Sequence, residues 1–273
     1  MLRNKFYILF KTFLKSIEKR KGKGAYMKKI INQELMRVNN KKHILETIKK
    51  NAPVSKTRLA TELGLSITSV STFINELINE EKIIRCGVAK SSGGRRSILY
   101  QVNPEACYSI GIDLQVDRVI GILLNFNGSP VTIREVPFLN KDEWHVIKII
   151  NELIEGIIKE NNIPISKISG VGIGVPGIVD RGSGMLVFAP NLGWKNVNLR
   201  QFINLDKPVY IENEANAAVV GEKYFGAARN VSNLVYVSVG VGIGCGLLLN
   251  GRLYVGHSSY AGEFGHMTVE PDG

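Results

Sequence analysis

The apolar positions along the chain change period once, near residue 104. Before that point they recur every three or four residues, as one face of a helix requires. After it they gather into short alternating or unbroken runs that end in glycine, as strands do. The stretch from Ser55 to Glu80, SKTRLATELGLSITSVSTFINELINE, predicts two helices. Ser55 suits the cap of the first, which runs through Leu63, and Gly64 suits the turn that ends it. The second runs from Ile67 to Asn79, with Ala60, Leu63, Val70, Ile74 and Leu77 facing inward across the pair. The following KIIRCGVAKSSGGRRSILYQV predicts two short strands around a glycine-rich tip at Gly93 and Gly94. Val102-Asn103-Pro104 then marks a linker, because proline moves its predecessor out of the helical region.

Beyond Cys107 the runs YSIGIDL, RVIGILLNF and VTIREVPFL predict strands, the last two joined at Asn127-Gly128, a strong hairpin signal. Residues 143–162 predict an amphipathic helix with Val146, Ile149, Ile150, Leu153, Ile157 and Ile158 on its apolar stripe. SGVGIGV and VYIEN predict buried strands, EANAAVVGEKYFG a helix, and LVYVSVG and CGLLLNGRLYVG closing strands. Alternating strands and helices place this part in the α/β class, behind an N-terminal helix-turn-helix. The expected division is residues 1–26 as an extension, 27–102 as a winged helix-turn-helix, and 107–273 as an α/β domain.

Charge sharpens the division. Of the net +11, residues 1–100 hold 22 Lys and Arg against 7 Asp and Glu, and the remainder 13 against 17. A basic segment joined to a mildly acidic body suggests a polyanionic partner for one end only. The apolar part of MLRNKFYILFKTFLKSIEKRKGKG is short and broken by Lys5, Lys11 and Lys15 and lacks a small-residue cleavage site, so export is not expected. Residues 1–26 are expected to be a disordered or optional extension, with Met27 a plausible start. No run of eighteen apolar residues exists, so no membrane span is expected. Cys86, Cys107 and Cys245 form no pairing framework and are expected to be inert thiols in a reducing cytoplasm.

The two predicted helices have helix-turn-helix spacing. Ser66, Thr68, Ser69, Thr72 and Asn75 on the second are short polar groups able to approach base edges. Arg95 and Arg96 after the glycines would place guanidiniums on phosphates or in a minor groove, as the tip of a wing.

The glycine turns GVGIGVPG and GVGIGCG are weak evidence separately. Taken with SSGGRRSILYQVN, YSIGIDLQVDRVIGIL, GIGVPGIVD, FAPNLGW, IENEANAAVVGEK and GEFGHMTVEPDG, they carry a specific resemblance over residues 28–273. The chain is similar to the ROK family (repressors, open reading frames and sugar kinases), and most similar to its branch of Gram-positive xylose repressors. The resemblance implies an actin-like ATPase fold, two α/β lobes with a sugar in the cleft between them. It also implies a dimer or higher homo-oligomer on palindromic operator DNA, and a sugar effector, D-xylose. The family's sugar-contacting positions fall on Asn213, Glu214, Glu263 and His266, with Asn191 a weaker candidate. Carboxylates and amides suit sugar hydroxyls. Glu214 equally suits the dipole at the start of the following helix, and Glu263 and His266 equally suit ordinary polar surface.

Three departures from the family's kinases imply a sensor and not an enzyme. Asp113 is followed by Leu114, Gln115 and Val116, where a kinase has the glycines and hydroxyl that admit ATP phosphates. Glu214 stands where a kinase has an aspartate base, and the extra methylene displaces the carboxylate by roughly 1 Å, enough to cost on the order of a hundredfold. Gly240-Val241-Gly242 lacks the hydroxyl of a Gly-Thr-Gly turn. No cofactor is expected in this chain. Family members follow the His266 stretch with a cysteine cluster that binds zinc together with that histidine, so a truncated reading frame is expected here, with zinc only in a full-length product.

Overall fold

The computed structural model describes residues 27–89 and 96–270, with side chains from residue 34 onward. The extension 1–26, the glycine tip at Gly93-Gly94 and Arg95 lie outside the described residues. The chain separates into two compact units, one comprising the described residues to Cys107 with Asn125–Asn127, the other Tyr108–Leu124 with the chain from Gly128.

The first unit opens with α1 (Met27–Asn51) and a two-residue strand β1 (Val54–Ser55). Helices α2 (Lys56–Leu63) and α3 (Ile67–Asn79) follow, then strands β2 (Ile83–Val88) and β3 (Ile98–Val102). Both helices begin as their caps dictate. The Ser55 hydroxyl accepts from the Arg58 N–H and that of Ser66 from the Ser69 N–H, satisfying amides that have no partner inside the helix. Gly64 ends α2 at φ 62°, a left-handed conformation that glycine adopts without a Cβ penalty. The three strands form an antiparallel sheet in the order β1-β3-β2.

Val70, Phe73, Ile74 and Leu77 of α3 are buried, as are Leu59 and Ala60 of α2 and Ile44 and Ile48 of α1. Leu63 is only half-buried, whereas Phe73, outside the expected stripe, is inside. Polar contacts pin α1 across α3. Lys41 Nζ donates to Glu76 at 3.0 Å, Arg37 also pairs with Glu76, and Glu80 pairs with Lys41 and with Lys82.

The second unit is built on a five-stranded sheet ordered β11-β7-β4-β5-β6. Its strands are β4 (Tyr108–Leu114), β5 (Arg118–Asn125), β6 (Pro130–Pro137), β7 (Ile168–Val175) and β11 (Val209–Asn213). β4, β7 and β11 run parallel; β5 and β6 form the expected antiparallel hairpin, with Gly128 at φ 78° in its turn. Helix α4 (Glu143–Glu160) links β6 to β7, so parallel strands are reached by a helical crossover. Its buried stripe is Val146, Ile147, Ile150, Leu153, Ile154 and Ile157. Ile149 and Ile158, expected on the stripe, are half-buried at its margin: a helix lying on a sheet buries a broader face than a narrow seam.

Successive residues of β5 point to opposite faces of the sheet. Val119 and Leu123 join the core under α4, while Ile120, Ile122 and Leu124 pack with Phe225 on the other face. Gly121 lies under α4, where a Cβ would stand 2.8 Å from Ile157 Cδ1 and 2.9 Å from Leu153.

A second antiparallel sheet, β10-β9-β8, was not anticipated from sequence. It comprises β8 (Ile178–Asp180), β9 (Met185–Ala189) and β10 (Trp194–Val197), followed by the short helix α5 (Leu199–Phe202). Helix α6 (Glu214–Phe225) follows β11 directly. A third sheet, in the order β12-β13-β14, contains β12 (Leu234–Val239), β13 (Ile243–Leu249) and β14 (Arg252–Tyr254). No helix among the described residues is long and apolar enough to cross a membrane.

Two predictions follow from this packing. Gly121→Val should destabilise the protein by about 1–3 kcal/mol, because α4 must move to admit the added carbons; denaturant unfolding measures it. The Glu76 carboxyl is held below its ordinary value of 4.5 by hydrogen bonds from Lys41 and then Arg37. A depressed carboxyl stabilises the fold above its unfolded-state pKa, and that contribution disappears as pH falls through the folded-state value. Glu76→Gln should therefore lower the thermal midpoint at pH 7, and the gap to the parent should close on acidification; a constant gap would show that charge is not its cause.

Candidate functional site

In the first unit the HTH hairpin sets which groups reach outward. α3 buries four apolar residues, leaving Thr68, Thr72 and Asn75 exposed and Ser69 half-exposed. The Ser66 hydroxyl is committed to its cap, accepting from the Ser69 N–H at 3.0 Å and lying 2.9 Å from the Ser69 hydroxyl. The Thr72 hydroxyl donates back to the Thr68 carbonyl at 3.2 Å. Arg96 is exposed where the chain re-enters toward β3. Sequence reasoning passed over the acids of α3. Glu76 and Glu80 would repel phosphates, and the Arg37, Lys41 and Lys82 pairs neutralise them. Their one sequence signal is the lysine and arginine excess of α1.

In the second unit the polar corner lies where β7 and β11, parallel neighbours, both end. Asn213 is the last residue of β11 and the cap of α6. Its Oδ1 accepts from the Ala215 N–H at 2.9 Å and the Asn216 N–H at 3.1 Å, and its Nδ2 donates to the Gly177 carbonyl at 3.0 Å. One amide thus fixes the start of a helix to the loop after β7, which leaves a single amide hydrogen for any ligand.

Glu214 begins α6 beside Gly174, whose absent Cβ would stand 3.8 Å from the Glu214 Cα and 3.8 Å from Asp113 Oδ1. Asp113 and Glu214 thus flank one strand end. Asp113 is 2% exposed and accepts from Gln115 Nε2 at 2.8 Å. Gln115 N–H also donates to the Arg118 carbonyl at 2.9 Å, so the turn after β4 is closed by its own side chain and backbone.

Beside Asn213 sits Glu212, 6% exposed. Its Oε2 meets Arg181 Nε at 2.8 Å, and its Oε1 accepts from the Asn213 N–H at 3.1 Å and from Asn216 Nδ2 at 3.3 Å. Burial pushes this carboxyl above the usual range, with Arg181 pulling the other way. The Glu212–Arg181 pair escaped sequence reasoning because thirty residues separate its members and no spacing rule joins them.

Asn191 lies exposed in the β9–β10 turn. Lys141 clamps that turn: its Nζ donates to the Asn191 carbonyl at 2.9 Å, while its own carbonyl accepts from the Trp194 indole at 2.7 Å. Glu263 and His266 flank a single 3-10 turn, Phe264–His266, with His266 Nε2 3.9 Å from Glu263 Oε2. The turn is held on β13, since a Cβ on Gly262 would meet the Cys245 carbonyl at 2.1 Å and one on Gly265 the Ile243 carbonyl at 2.8 Å. Between those two residues, Gly244 faces Glu214, whose Oε1 would lie 3.9 Å from an added Cβ. The three residues of β13 thus connect Glu214 to the Glu263–His266 turn, while Asn191 belongs to a separate arm. His266 is 81% exposed at its side chain. Among the described residues no group of three or more His, Cys, Asp or Glu side chains is placed to hold a metal ion, and His266 supplies one ligand where a structural zinc takes four. The residues present do not fit that metal.

Comparison with known proteins accounts for both units. The family described as winged helix-turn-helix DNA-binding matches residues 39–84, and the ROK family matches residues 109–273. The xylose repressor of Caldicellulosiruptor bescii is 40% identical over 241 residues, which cover 87% of this chain and 60% of that protein. Among solved structures, a ROK family transcriptional regulator, a homolog of the E. coli MLC protein, shares the fold with a TM-score of 0.69 at 24% identity, covering 88% of this chain and 61% of that one. A ROK family glucokinase from Streptomyces griseus, in complex with glucose and AMPPNP, superposes with a TM-score of 0.56 at 28% identity, covering 61% of this chain and 52% of that one. The chain spans 60 to 64% of the length of the xylose repressors of Caldicellulosiruptor bescii and Bacillus subtilis. The ROK match takes in the β4 turn, the Asn213–Glu214 corner and the Glu263–His266 turn, and the chain belongs to the ROK family.

Proposed function

We propose that this chain is the DNA-binding and sugar-sensing part of a transcriptional repressor that releases its operator when a sugar, D-xylose first among candidates, occupies the second unit. The observation that carries the reading is the pairing, on one chain, of a helix-turn-helix whose α3 leaves Thr68, Thr72 and Asn75 exposed with a ROK unit. The name of the Caldicellulosiruptor bescii relative supports both the direction of regulation and the sugar.

Thr68, Ser69, Thr72 and Asn75 take the role of base readers, with Ser66 holding the helix start, and Arg95 and Arg96 that of phosphate contacts. Asn213, Glu214, Glu263 and His266, with Asn191 from the arm, take the role of sugar ligands. A homo-oligomer, dimer or higher, would present paired α3 helices to operator half-sites about 34 Å apart or a multiple of it. The cytoplasm is the compartment in which such a protein meets its DNA. By linkage, a sugar that weakens operator binding is itself bound more weakly by the operator complex, by the same factor.

Phosphoryl transfer is not part of the proposal. After Asp113 the chain has Leu114, Gln115 and Val116 in place of the glycines and hydroxyl that admit ATP phosphates in the family's kinases, and Gln115 Nε2 donates to Asp113. Zinc on His266 belongs to the proposal only for a longer product.

The deciding experiment measures binding to DNA upstream of the gene with and without a panel of sugars, alongside ATP consumption with the same sugars. Release by D-xylose without turnover supports the repressor; turnover above background would establish a kinase instead, and specific binding that no sugar relieves would remove the sensor. Arg96→Ala should weaken binding to all DNA sequences alike and reduce the slope of affinity against salt by about one, one phosphate contact being lost. Thr72→Ala should instead change which base is preferred in the operator, by roughly 1–3 kcal/mol at one position; a uniform loss across sequences would take Thr72 out of the reading surface.

A further inference from the structure

The β8–β10 sheet shares no hydrogen-bonded ladder with the five-stranded sheet, although Val179, Leu186, Ala189 and Trp194 pack into the same core, and one of its turns carries Asn191. Something must fix that arm against the corner at Asn213. Besides the shared core and the Lys141 clamp, three contacts tie it to β11 and its end, two from the segments flanking β8 and one from Arg200 of α5. The Gly177 carbonyl accepts from Asn213 Nδ2, and Gly177 is tight enough on β9 that a Cβ would meet the Phe188 carbonyl at 2.2 Å. Arg200 lies beneath Gly184, its guanidinium 2.7 Å from where a Cβ would stand, and its Nε donates to the Val209 carbonyl at the start of β11. Arg181 Nε reaches Glu212 Oε2 at the end of β11.

The β8–β9 turn is itself braced. The Asp180 carboxylate accepts from the Gly182 and Ser183 N–H groups at 3.1 and 3.3 Å and from the Ser183 hydroxyl at 2.5 Å. A braced turn transmits the position of Arg181 to the strands on either side of it. Of the three contacts, the Arg181–Glu212 pair is the one that joins two side chains. Glu212 is 92% buried at its side chain, so its charge has few alternatives to this partner. The same carboxylate holds the Asn213 N–H and the Asn216 amide, so a shift of Glu212 shifts the corner.

Resting on the sugar-sensing reading, we infer that Arg181 and Glu212 are positioning residues for the sugar site: their ion pair sets the β8–β10 arm, and Asn191 with it, against the Asn213–Glu214 corner. Neither residue touches sugar in this scheme. Their substitution acts on affinity through geometry, which distinguishes the pair from a ligand and from a contact that merely adds stability.

The test titrates the 273-residue protein with D-xylose and a panel of other sugars by calorimetry, with thermal midpoints recorded for each variant. Arg181→Met and Glu212→Gln should each weaken binding on the order of tenfold, and the double variant should be no weaker than either, since coupled partners are not additive. Arg181→Lys keeps the charge and should restore most of the affinity. Affinity within about twofold of the parent in Arg181→Met, or fully additive losses, would overturn the positioning role while leaving sugar sensing intact. Lowered midpoints with unchanged affinity would likewise reduce the pair to a structural contact. A parent protein that binds no sugar of the panel would overturn the sugar-sensing reading and the positioning role together. Glu212→Gln, nearly the same shape, keeps the question answerable should Arg181→Met fold poorly.

Discussion

The Asn213 side chain holds together the parts of the second unit that matter most. Its amide satisfies three backbone groups at once: two N–H groups at the start of α6 and the carbonyl of Gly177. A helix start and a strand-end loop both carry polar groups with no internal partner, and leaving them buried and unmet costs about 1–3 kcal/mol each. One short amide in the right place removes that cost and, in doing so, fixes the direction of α6, the placement of Glu214 and the entry to the β8–β10 arm. Glu212 then receives the Asn213 N–H, so consecutive residues share the work of holding the corner.

Glycine supplies the complementary constraint. Gly246 brings β13 up to the start of α6, where a Cβ would stand 2.3 Å from the Ala215 carbonyl, and Gly262 and Gly265 seat the Glu263–His266 turn on β13. The glycine-rich runs that look unremarkable as motifs are therefore the means by which the corner is assembled. In the turn after β4, Gln115 stands instead and bonds Asp113.

In the first unit the same economy takes an electrostatic form. Glu76 of α3 and Glu80 at its C-cap are acidic, and Arg37, Lys41 and Lys82 neutralise both. The exposed positions of α3 are then Ile67, Thr68, Thr72, Asn75 and Asn79. Exposed ion pairs of this kind contribute little stability individually; on the proposed reading their effect is on the sign of the field that DNA would meet.

How much of this was legible depends on the range over which each feature is decided. The helix-turn-helix was read to the residue at Ser55, Leu63, Gly64, Ile67 and Asn79, because caps, left-handed turns and apolar period are local properties of the chain. The strands around Asn127-Gly128, the buried strands SGVGIGV and VYIEN and the helix after them were legible for the same reason, and the family resemblance added which residues to watch. What only tertiary structure decided lies across long separations. The β8–β10 sheet has strands of three to five residues, too short to show a period. The choice of Ile147 and Ile154 over Ile149 and Ile158 depended on the width of the sheet beneath α4, and the bond from Asn213 to the Gly177 carbonyl on which loop lay near. The Arg181–Glu212 and Lys141–Trp194 links join residues that nothing in the sequence pairs. By itself the sequence determined the local elements and their chemistry, since these follow from neighbours within about four residues; the tertiary structure decided which distant groups share a site, since burial and hydrogen-bond satisfaction are settled only when the whole unit is packed.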